Sequence, residues 1–206
     1  QLVHQENLGP VNIIAHSMGG TIACLFAGIF REKVASLISV EGVGGFWHQQ
    51  QKDNHPQQRI LEWLDTTRSM AGREPRKYAT ISDAFQRMQK SNPHLSEERA
   101  RHLTIHGSNR NEDGTYTWKF DNYTHSRSPT NIDYGDMARL WEKIECPTLL
   151  LNAKQGFEHR TGQDGSDKYF HHSESIDIDN AGHWLHHDQF DEFIETTGKF
   201  LDQHSK

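Results

Sequence analysis

A serine between a strand pattern and a helix pattern is the first candidate for chemistry in this sequence. Ser17 lies at the centre of Ala15-His16-Ser17-Met18-Gly19, which follows an apolar run typical of a β-strand. A tight turn of this kind exposes the serine side chain on a strained backbone, and it requires small residues two positions before and after the serine, here Ala15 and Gly19. The pattern predicts a nucleophile elbow with Ser17 as the nucleophile.

The helix after Ser17 is predicted to cover residues 18–30. Its N-terminus points back at the serine, so the backbone N–H of Met18 is a predicted donor of an oxyanion hole. The positive end of the helix dipole favours negative charge developing at the same place. Apolar residues recur along this helix at helical spacing and are expected to be buried, namely Ile22, Leu25, Phe26 and Ile29.

A serine hydroxyl needs a base to act as a nucleophile at neutral pH, and imidazole is the usual one. The sequence has 15 histidines, so position must select among them. His183 follows the last predicted strand, at the end where active sites of parallel sheets gather, so we predict that it is the general base. His16 lies on the wrong side of the turn for this role. Because the histidines near His183 have no matching carboxylate or cysteine spacing, we expect no metal site.

Composition and charge narrow the function classes. A formal net charge of -6 with scattered Lys and Arg gives no basic stripe, so nucleic acid is not an expected partner. No apolar segment approaches the roughly 18 residues that a membrane span needs, and no signal peptide opens the sequence. Cys24 and Cys146 lie among apolar positions and are expected to be small core residues. We therefore expect a soluble, cytoplasmic protein without a cofactor or membrane partner.

The predicted elements alternate in the manner of a parallel α/β sheet. Apolar runs predict strands before Ser17 and at 34–40, 146–152 and 173–179, and an amphipathic pattern predicts a final helix at 188–204. Strand, helix and strand in succession imply a right-handed parallel crossover. The polar, irregularly helical stretch 46–141 is predicted to be a mostly helical lid, inserted between two pieces of core at 1–45 and 142–206.

Three short motifs spread along the chain carry a family resemblance. They are Ala-His-Ser-Met-Gly-Gly after a strand, the strand Pro-Thr-Leu-Leu-Leu at 147–151, and Asn-Ala-Gly-His-Trp-Leu-His before the final helix. Together they resemble the α/β-hydrolase family over nearly the whole chain. The resemblance implies a mostly parallel sheet with helices on both faces and a helical lid. Short pieces at 120–121, 127–129 and 152–156 further resemble the serine-hydrolase-like branch of this family.

The acid of the expected triad departs from the commonest family pattern. Family members usually carry an aspartate about nine residues beyond the proline of the Pro-Thr-Leu-Leu-Leu strand, and Gly156 stands there. Some members, including haloalkane dehalogenases and zearalenone lactonases, place the acid at the end of the strand after the nucleophile helix, which is the place of Glu41. We therefore assign Glu41 as the acid that orients the imidazole of His183. Glu158 and Asp164 are the alternative acids.

The resemblance and the three residues together imply acyl transfer to water. Ser17 excludes haloalkane dehalogenases and epoxide hydrolases, which attack with an aspartate at the elbow. The predicted reaction is attack on the carbonyl of an ester, thioester or lactone, with a small-molecule acyl substrate and hydrolysis of the acyl-enzyme. Aromatic residues predicted to line the acyl pocket are Phe46, Trp47 and Trp184.

Two other interpretations stay open. A member of the fold that keeps the three residues but turns over slowly or not at all would be a ligand-binding protein, as in the hormone receptors of this family. A cofactor-free haloperoxidase or an acyltransferase would use the same residues and differ in what enters the pocket.

The resemblance also implies strands that precede those described above. A complete α/β-hydrolase has four strands before the one that leads to Ser17, and the loop after the third supplies the second oxyanion donor. Without them, one sheet edge would lie open to water. We therefore expect the N-terminal half of the fold to come from the same or a second chain, and the 206 residues alone not to fold stably.

Overall fold

The computed structural model of the protein describes residues 1–42, 55–125, 132–156, 160–163 and 165–204. The chain divides into two compact units, one made of Gln1–Gln50 with Ile132–Lys206 and the other of Gln51–Asn131. The first unit contains the predicted nucleophile, base and acid. Across the described ranges, no helix has the length and apolar character that crossing a membrane requires.

The secondary structure follows the predicted alternation. The strands are β1 (Val11–His16), β2 (Val34–Val40), β3 (Ser108–Arg110), β4 (Tyr116–Trp118), β5 (Thr148–Ala153) and β6 (Ser173–Ile178). The α-helices are α1 (Leu2–Gln5), α2 (Met18–Ile29), α3 (Pro56–Met70), α4 (Ile81–Ser91), α5 (Glu97–Gly107), α6 (Tyr134–Trp141), α7 (Leu185–Asp188) and α8 (Phe190–His204). Short 3₁₀ helices lie at Arg31–Lys33, Asn122–His125 and Asp167–Tyr169. The predicted strands are confirmed with small shifts at their ends, and α8 confirms the predicted final helix, with α7 as a separate short helix before it.

Strands β1, β2, β5 and β6 form one parallel sheet in that order. The α/β class and the parallel crossover from β1 through α2 to β2 are therefore confirmed. In the register of the sheet, His16 lies beside Val40, and Val40 lies beside Leu151. The carboxyl ends of β1, β2 and β5 consequently meet at one edge of the sheet.

Alternate residues of the central strands enter two apolar clusters, one on each face of the sheet. Leu37 and Leu150 pack with α2 and α6, where Trp141 is fully buried. Ile38 and Leu149 pack on the opposite face with α7 and α8. Because both faces are covered, β2 and β5 are buried along almost their whole length, as expected for central parallel strands. Helices thus lie on both faces, as the family resemblance implies.

Helix α2 packs mainly through its small residues, and the prediction that its large apolar residues are buried is wrong for Ile22 and Ile29 and holds in part for Leu25 and Phe26. Ile22 is 56% exposed and Ile29 is 53% exposed, while Leu25 and Phe26 are half-buried. The buried face is rotated by about one residue and consists of Gly20, Ala23, Cys24, Ala27 and Gly28. Helical spacing alone does not distinguish these two neighbouring stripes, and the small one allows the closer approach to the sheet.

Helix α6 belongs to the core of the first unit, although the predicted insertion at 46–141 includes it. Met137 and Trp141 are fully buried in the cluster that α2 also lines. The compact insertion consequently ends at Asn131. Apolar spacing within α6 is the signal that separates it from the polar stretch before it.

The contact between α2 and α6 depends on Gly28. A Cβ atom built on Gly28 would lie 2.8 Å from the carbonyl carbon of Leu140. We expect Gly28→Ala to lower the free energy of unfolding by about 2 kcal/mol, because the backbone of α6 must move to admit the methyl group. Nothing lies within 4 Å of a Cβ built on Gly198 in α8, so Gly198→Ala is the matched control and should stabilise the protein by about 0.5–1 kcal/mol. Denaturant melts measure both variants, and effects of the same sign would contradict the expectation.

The second unit is mostly helical and includes a short hairpin. Helix α4 begins with a capping box in which Thr80 and Asp83 exchange hydrogen bonds, and Ser96 caps α5. Strands β3 and β4 pair antiparallel, and Tyr78 bridges to Tyr116. The function of this unit as a lid stays a prediction.

Candidate active site

The carboxyl edge of the parallel sheet carries the three residues predicted to form a triad. Ser17 follows β1, Glu41 follows β2, and His183 lies in the loop between β6 and α7. Backbone hydrogen bonds extend the sheet into this edge. The N–H of Ser17 donates to the carbonyl of Val40 at 2.9 Å, and the N–H of Glu41 donates to that of Leu151 at 2.8 Å. The sheet therefore fixes the nucleophile and the acid relative to each other.

The side chains of Ser17, His183 and Glu41 form one hydrogen-bonded chain. Nε2 of His183 lies 2.8 Å from Oγ of Ser17, and its Nδ1 lies 3.2 Å from Oε2 of Glu41. Because a carboxylate only accepts, Nδ1 carries the proton and Nε2 is available to accept the proton of the serine hydroxyl. This is the geometry of general-base activation of a serine nucleophile.

The backbone at Ser17 and Glu41 lies in the left-handed region. Ser17 has φ 57° and ψ −124°, and Glu41 has φ 49°. Such conformations cost about 1–3 kcal/mol each and persist only where the surrounding structure imposes them. Here the sheet on one side and α2 on the other impose the sharp turn that exposes the serine hydroxyl.

The close approach in the elbow lies at Gly20, one residue beyond the predicted position. A Cβ built on Gly20 would lie 2.7 Å from Oγ of Ser39 and 3.2 Å from backbone atoms of Ala15 and Gly42, so its neighbours would have to shift to admit it. A Cβ built on Gly19 would lie 3.8 Å from Cβ of Ala15, an ordinary van der Waals contact. The methyl group of Ala15 therefore fits, and Gly20 is the residue whose small size the turn requires.

Glu41 is fully buried at 0% exposure, and both of its oxygens have partners. Oε1 accepts the N–H of Ala153 at 2.6 Å and lies 3.2 Å from Nη1 of Arg160, while Oε2 faces His183. Removing a carboxylate from water is unfavourable unless such partners replace the lost hydration. The buried acid is thus held with one oxygen directed at the imidazole.

Gly156, which stands where most family members have the aspartate, lies against the carboxylate of Glu41. A Cβ built on Gly156 would lie 2.8 Å from Cδ of Glu41 and 2.8 Å from Nη1 of Arg160. A side chain at position 156 and the carboxylate of Glu41 therefore compete for the same space. Glu41 has room to reach His183 because position 156 carries no side chain.

His16 is not among the predicted site residues, yet it contacts the loop that carries the base. Its Nε2 lies 2.6 Å from the main-chain oxygen of His183, so Nε2 carries a proton and donates to that carbonyl. Burial lowers the pKa of His16, which keeps the ring neutral at neutral pH. The residue before the nucleophile thus ties the elbow to the histidine loop. The two residues are 167 positions apart, so no local pattern indicates this contact.

Rings of His16, His186, His187 and Trp184 cluster beside His183. The ring centroid of His186 lies 4.5 Å from that of His16 and 4.2 Å from that of His187, and Trp184 stacks on His186 at 6.5 Å. Burial, reinforced by the neighbouring histidines, lowers the pKa of His186 to about 3. His186 is therefore uncharged at neutral pH and packs as an aromatic ring.

The low pKa of His186 predicts acid sensitivity of the fold. The ordinary value is 6.5, so the unfolded chain binds a proton on this residue between about pH 6.5 and pH 3 and the folded chain does not. The contribution of the neutral His186 ring to the free energy of unfolding is therefore complete above pH 6.5 and is lost as the pH falls toward about 3. Allowing for partial exposure of the ring, we expect the free energy of unfolding to fall by about 1 kcal/mol between pH 6.5 and pH 5.

Denaturant melts at a series of pH values measure this dependence. His186→Leu should flatten it because the replacement does not titrate, whereas His171→Leu removes an exposed histidine and is the matched control. An equal pH slope for His186→Leu and the parent protein would assign the acid sensitivity to other groups.

The other predicted site residues are the oxyanion donor Met18 and the aromatic residues Phe46, Trp47 and Trp184. Met18 is the first residue of α2, so its N–H lies at the helix N-terminus, and its function as an oxyanion donor stays a prediction. Phe46 and Trp47 lie outside the described residues, as do the alternative acids Glu158 and Asp164. The placement of Trp184 in an acyl pocket also stays a prediction.

The two cysteines of the chain are not candidates for the nucleophile. Cys24 and Cys146 are free and buried, as predicted. Burial raises the pKa of Cys24 to about 12 and also raises that of Cys146, so neither forms the nucleophilic thiolate at neutral pH. In the part of the chain that the structure describes, no group of three or more histidine, cysteine or acidic side chains is arranged to hold a metal ion.

Comparison with known proteins finds the same fold. The profile of the alpha/beta hydrolase fold family matches residues 2–190. A serine hydrolase-like protein of Danio rerio is 27% identical over 157 residues, which are 75% of this chain and 47% of the relative. The chain thus spans about half the length of that relative.

Two solved structures share the fold at lower identity. The thioesterase domain from the curacin biosynthetic pathway has a TM-score of 0.76 and 19% identity, and the match covers 95% of this chain and 70% of that one. A novel esterase from Mycobacterium tuberculosis has a TM-score of 0.69 and 18% identity, with 98% of this chain and 63% of that one covered. At these identities the likeness shows the fold alone.

Proposed function

The chain belongs to the alpha/beta hydrolase fold family, and we propose that it is a serine hydrolase that cleaves a carboxylic ester, thioester or lactone through an acyl-enzyme on Ser17. The observation that carries the proposal is the hydrogen-bonded chain from Ser17 through His183 to Glu41. The strained turn that exposes the serine hydroxyl supports the same assignment.

In the acylation step, Nε2 of His183 takes the proton of Ser17 while Oγ bonds to the substrate carbonyl carbon. The electron pair of the carbonyl bond moves to its oxygen, and the N–H of Met18 is the proposed donor to that oxyanion. The bond to the leaving group then breaks, and His183 gives its proton to the departing alkoxide or thiolate. The acyl group stays on Ser17.

In the deacylation step, a water molecule takes the place of the leaving group. His183 removes one proton from the water as its oxygen bonds to the acyl carbon, and it returns that proton to Oγ of Ser17 when the carboxylic acid leaves. In both steps the charge of Glu41 stabilises the imidazolium and holds the tautomer with the proton on Nδ1.

The leaving group distinguishes the substrate classes. The esterase and the thioesterase named above share the fold, and the same three residues suit both an alcohol and a thiol leaving group. We propose a small acyl substrate of one of these classes. Rates on a matched acetyl ester and acetyl thioester with the same alkyl leaving chain separate the two.

Labelling with a fluorophosphonate tests the proposal, because this probe bonds to activated serines. We expect the folded protein to gain the mass of one probe on the peptide that contains Ser17 and to hydrolyse p-nitrophenyl acetate steadily. Heat-denatured protein is the control. A single burst without turnover would favour a ligand-binding member of the fold, and no labelling of the folded protein, with the part that covers β1 present, would contradict the proposal.

We also propose that another part of the fold, in the same or a second chain, covers the outer edge of β1. Among the described residues, β1 pairs with β2 on one side only, and Ile14 is 49% exposed. An uncovered strand edge invites pairing with a further strand. Such a strand would bring with it the second oxyanion donor that the family resemblance implies.

A further inference from the structure

A buried arginine faces the acid of the triad. Arg160 is 6% exposed, and its Nη1 lies 3.2 Å from Oε1 of Glu41. The contact spans 119 positions of sequence. Neither the nucleophile elbow nor the histidine motif indicates it, and the mechanism above does not use it.

The charges explain why a cation belongs at this place. Glu41 is fully buried, and in the resting state the His183 ring that it faces must be neutral to act as a base. One backbone N–H, from Ala153, is a weak replacement for the water that the carboxylate loses. Arg160 supplies a full positive charge against the same oxygen, which offsets part of the cost of burying the carboxylate.

The geometry separates the two oxygens of the carboxylate. Ala153 and Arg160 both contact Oε1, which leaves Oε2 for Nδ1 of His183. A carboxylate held by two donors on one oxygen cannot rotate freely, so the direction of Oε2 is fixed.

Arg160 is itself held by a polar chain that leads to β6. Its Nη2 donates to the amide oxygen of Gln163, and the amide nitrogen of Gln163 donates to Asp177. Backbone contact between the next residue, Thr161, and Gly42 joins this segment to the end of β2 at 2.9 Å. The guanidinium is therefore anchored on the side away from the triad.

We propose that Arg160 is a positioning residue of the triad, which balances the buried charge of Glu41 and directs its Oε2 at His183. This inference rests on the proposed hydrolase function. The described contact between Arg160 and the triad is the one with Glu41, so we expect its effect on catalysis to pass through that carboxylate.

A double-mutant cycle between Arg160 and Glu41 tests the proposal, with p-nitrophenyl acetate hydrolysis and fluorophosphonate labelling rate as readouts. In the parent protein, Arg160→Gln should lower kcat by about 10- to 100-fold and leave KM within about threefold. Arg160→Lys, which keeps the charge, should recover most of the loss. In the Glu41→Gln background, Arg160→Gln should change the rate by less than about threefold, because the residue through which it acts no longer carries the charge.

Thermal stability gives a second readout that does not depend on activity. Arg160→Gln alone should lower Tm because it leaves a buried carboxylate without its cation, whereas in the Glu41→Gln background it should raise Tm because it removes a buried unpaired cation. Arg139→Gln removes an exposed arginine in α6 and is the matched control. It should leave kcat unchanged, and its effect on Tm should have the same sign in both backgrounds.

Three outcomes would overturn the proposal. They are an unchanged kcat in Arg160→Gln, an equal loss of rate in both backgrounds, and a Tm shift of the same sign in both. If Arg160→Gln does not fold, the double variant, whose buried pair is neutral, should still fold, and its failure would also count against the proposal. A parent protein that neither labels nor hydrolyses would refute the hydrolase function, while the Tm cycle would still test the Arg160–Glu41 pair.

Discussion

Replacing Ser17 with alanine should lower kcat/KM for p-nitrophenyl acetate by about 10⁴-fold or more and abolish fluorophosphonate labelling. The variant lacks the Oγ that lies 2.8 Å from Nε2 of His183, so no acyl-enzyme forms. Removal of a triad nucleophile leaves only the smaller contributions of oxyanion stabilisation and binding. Steady-state kinetics and intact mass of the labelled protein measure the two effects.

The fold of this variant should survive, because alanine occupies less space than serine and the sheet and α2 still impose the turn. Ser175→Ala is the matched control, since Ser175 is an exposed serine on β6 of the same unit. It should keep the parent rate and the label. Parent-like turnover in Ser17→Ala would mean that another group attacks the substrate, and the proposed function would then be wrong.

The sheet could be predicted from the sequence because each of its strands is a local signal. The runs at 34–40 and 146–152 are mostly apolar, and they form β2 and β5 at the centre of the sheet. The small residues of α2 show the limit of this reasoning. Two adjacent stripes of that helix are both apolar, and only the close approach to the sheet and α6 decides which one is buried.

The candidate site likewise contains residues that local motifs indicate and residues that only the assembled fold brings into contact. Ser17 and His183 stand in recognisable local motifs, and Glu41 could be assigned because Gly156 stands where an acid was expected and the end of β2 offers another. His16 and Arg160 act through contacts that span 167 and 119 positions. Such contacts exist only once β1, β2 and the last strands have assembled, so no spacing in the sequence indicates them.

The nucleophile elbow has one feature that the local motif indicates and one that only the assembled fold determines. The sequence pattern predicts a small residue at Gly19, yet the packing requires it at Gly20, which faces Ser39 of β2. A motif states which positions are commonly small, whereas the neighbouring strand determines which of them is crowded in a given protein.

Glu41→Gln should lower kcat by about 10³- to 10⁴-fold, the second of the two largest effects that we expect. The amide carries no charge to stabilise the imidazolium, so proton transfer from Ser17 to His183 becomes less favourable. The amide nitrogen can also donate to Nδ1, which would place the ring proton on Nε2 and block its function as a base. The rate of fluorophosphonate labelling should fall together with kcat, because both depend on the same proton transfer.

Loss of activity must be separated from loss of fold, since Glu41→Gln also leaves Arg160 beside a neutral amide. Rates are therefore normalised to the folded fraction measured by thermal melting, and Glu174→Gln, which changes an exposed glutamate on β6, serves as the matched control. That control should keep the parent kcat. An unchanged kcat in Glu41→Gln would contradict the assignment of the acid, since the 3.2 Å contact with His183 would then carry no catalytic charge. Glu158 or Asp164 would then be the acid of the triad, and the Glu158→Gln or Asp164→Asn variant should show the loss of kcat instead.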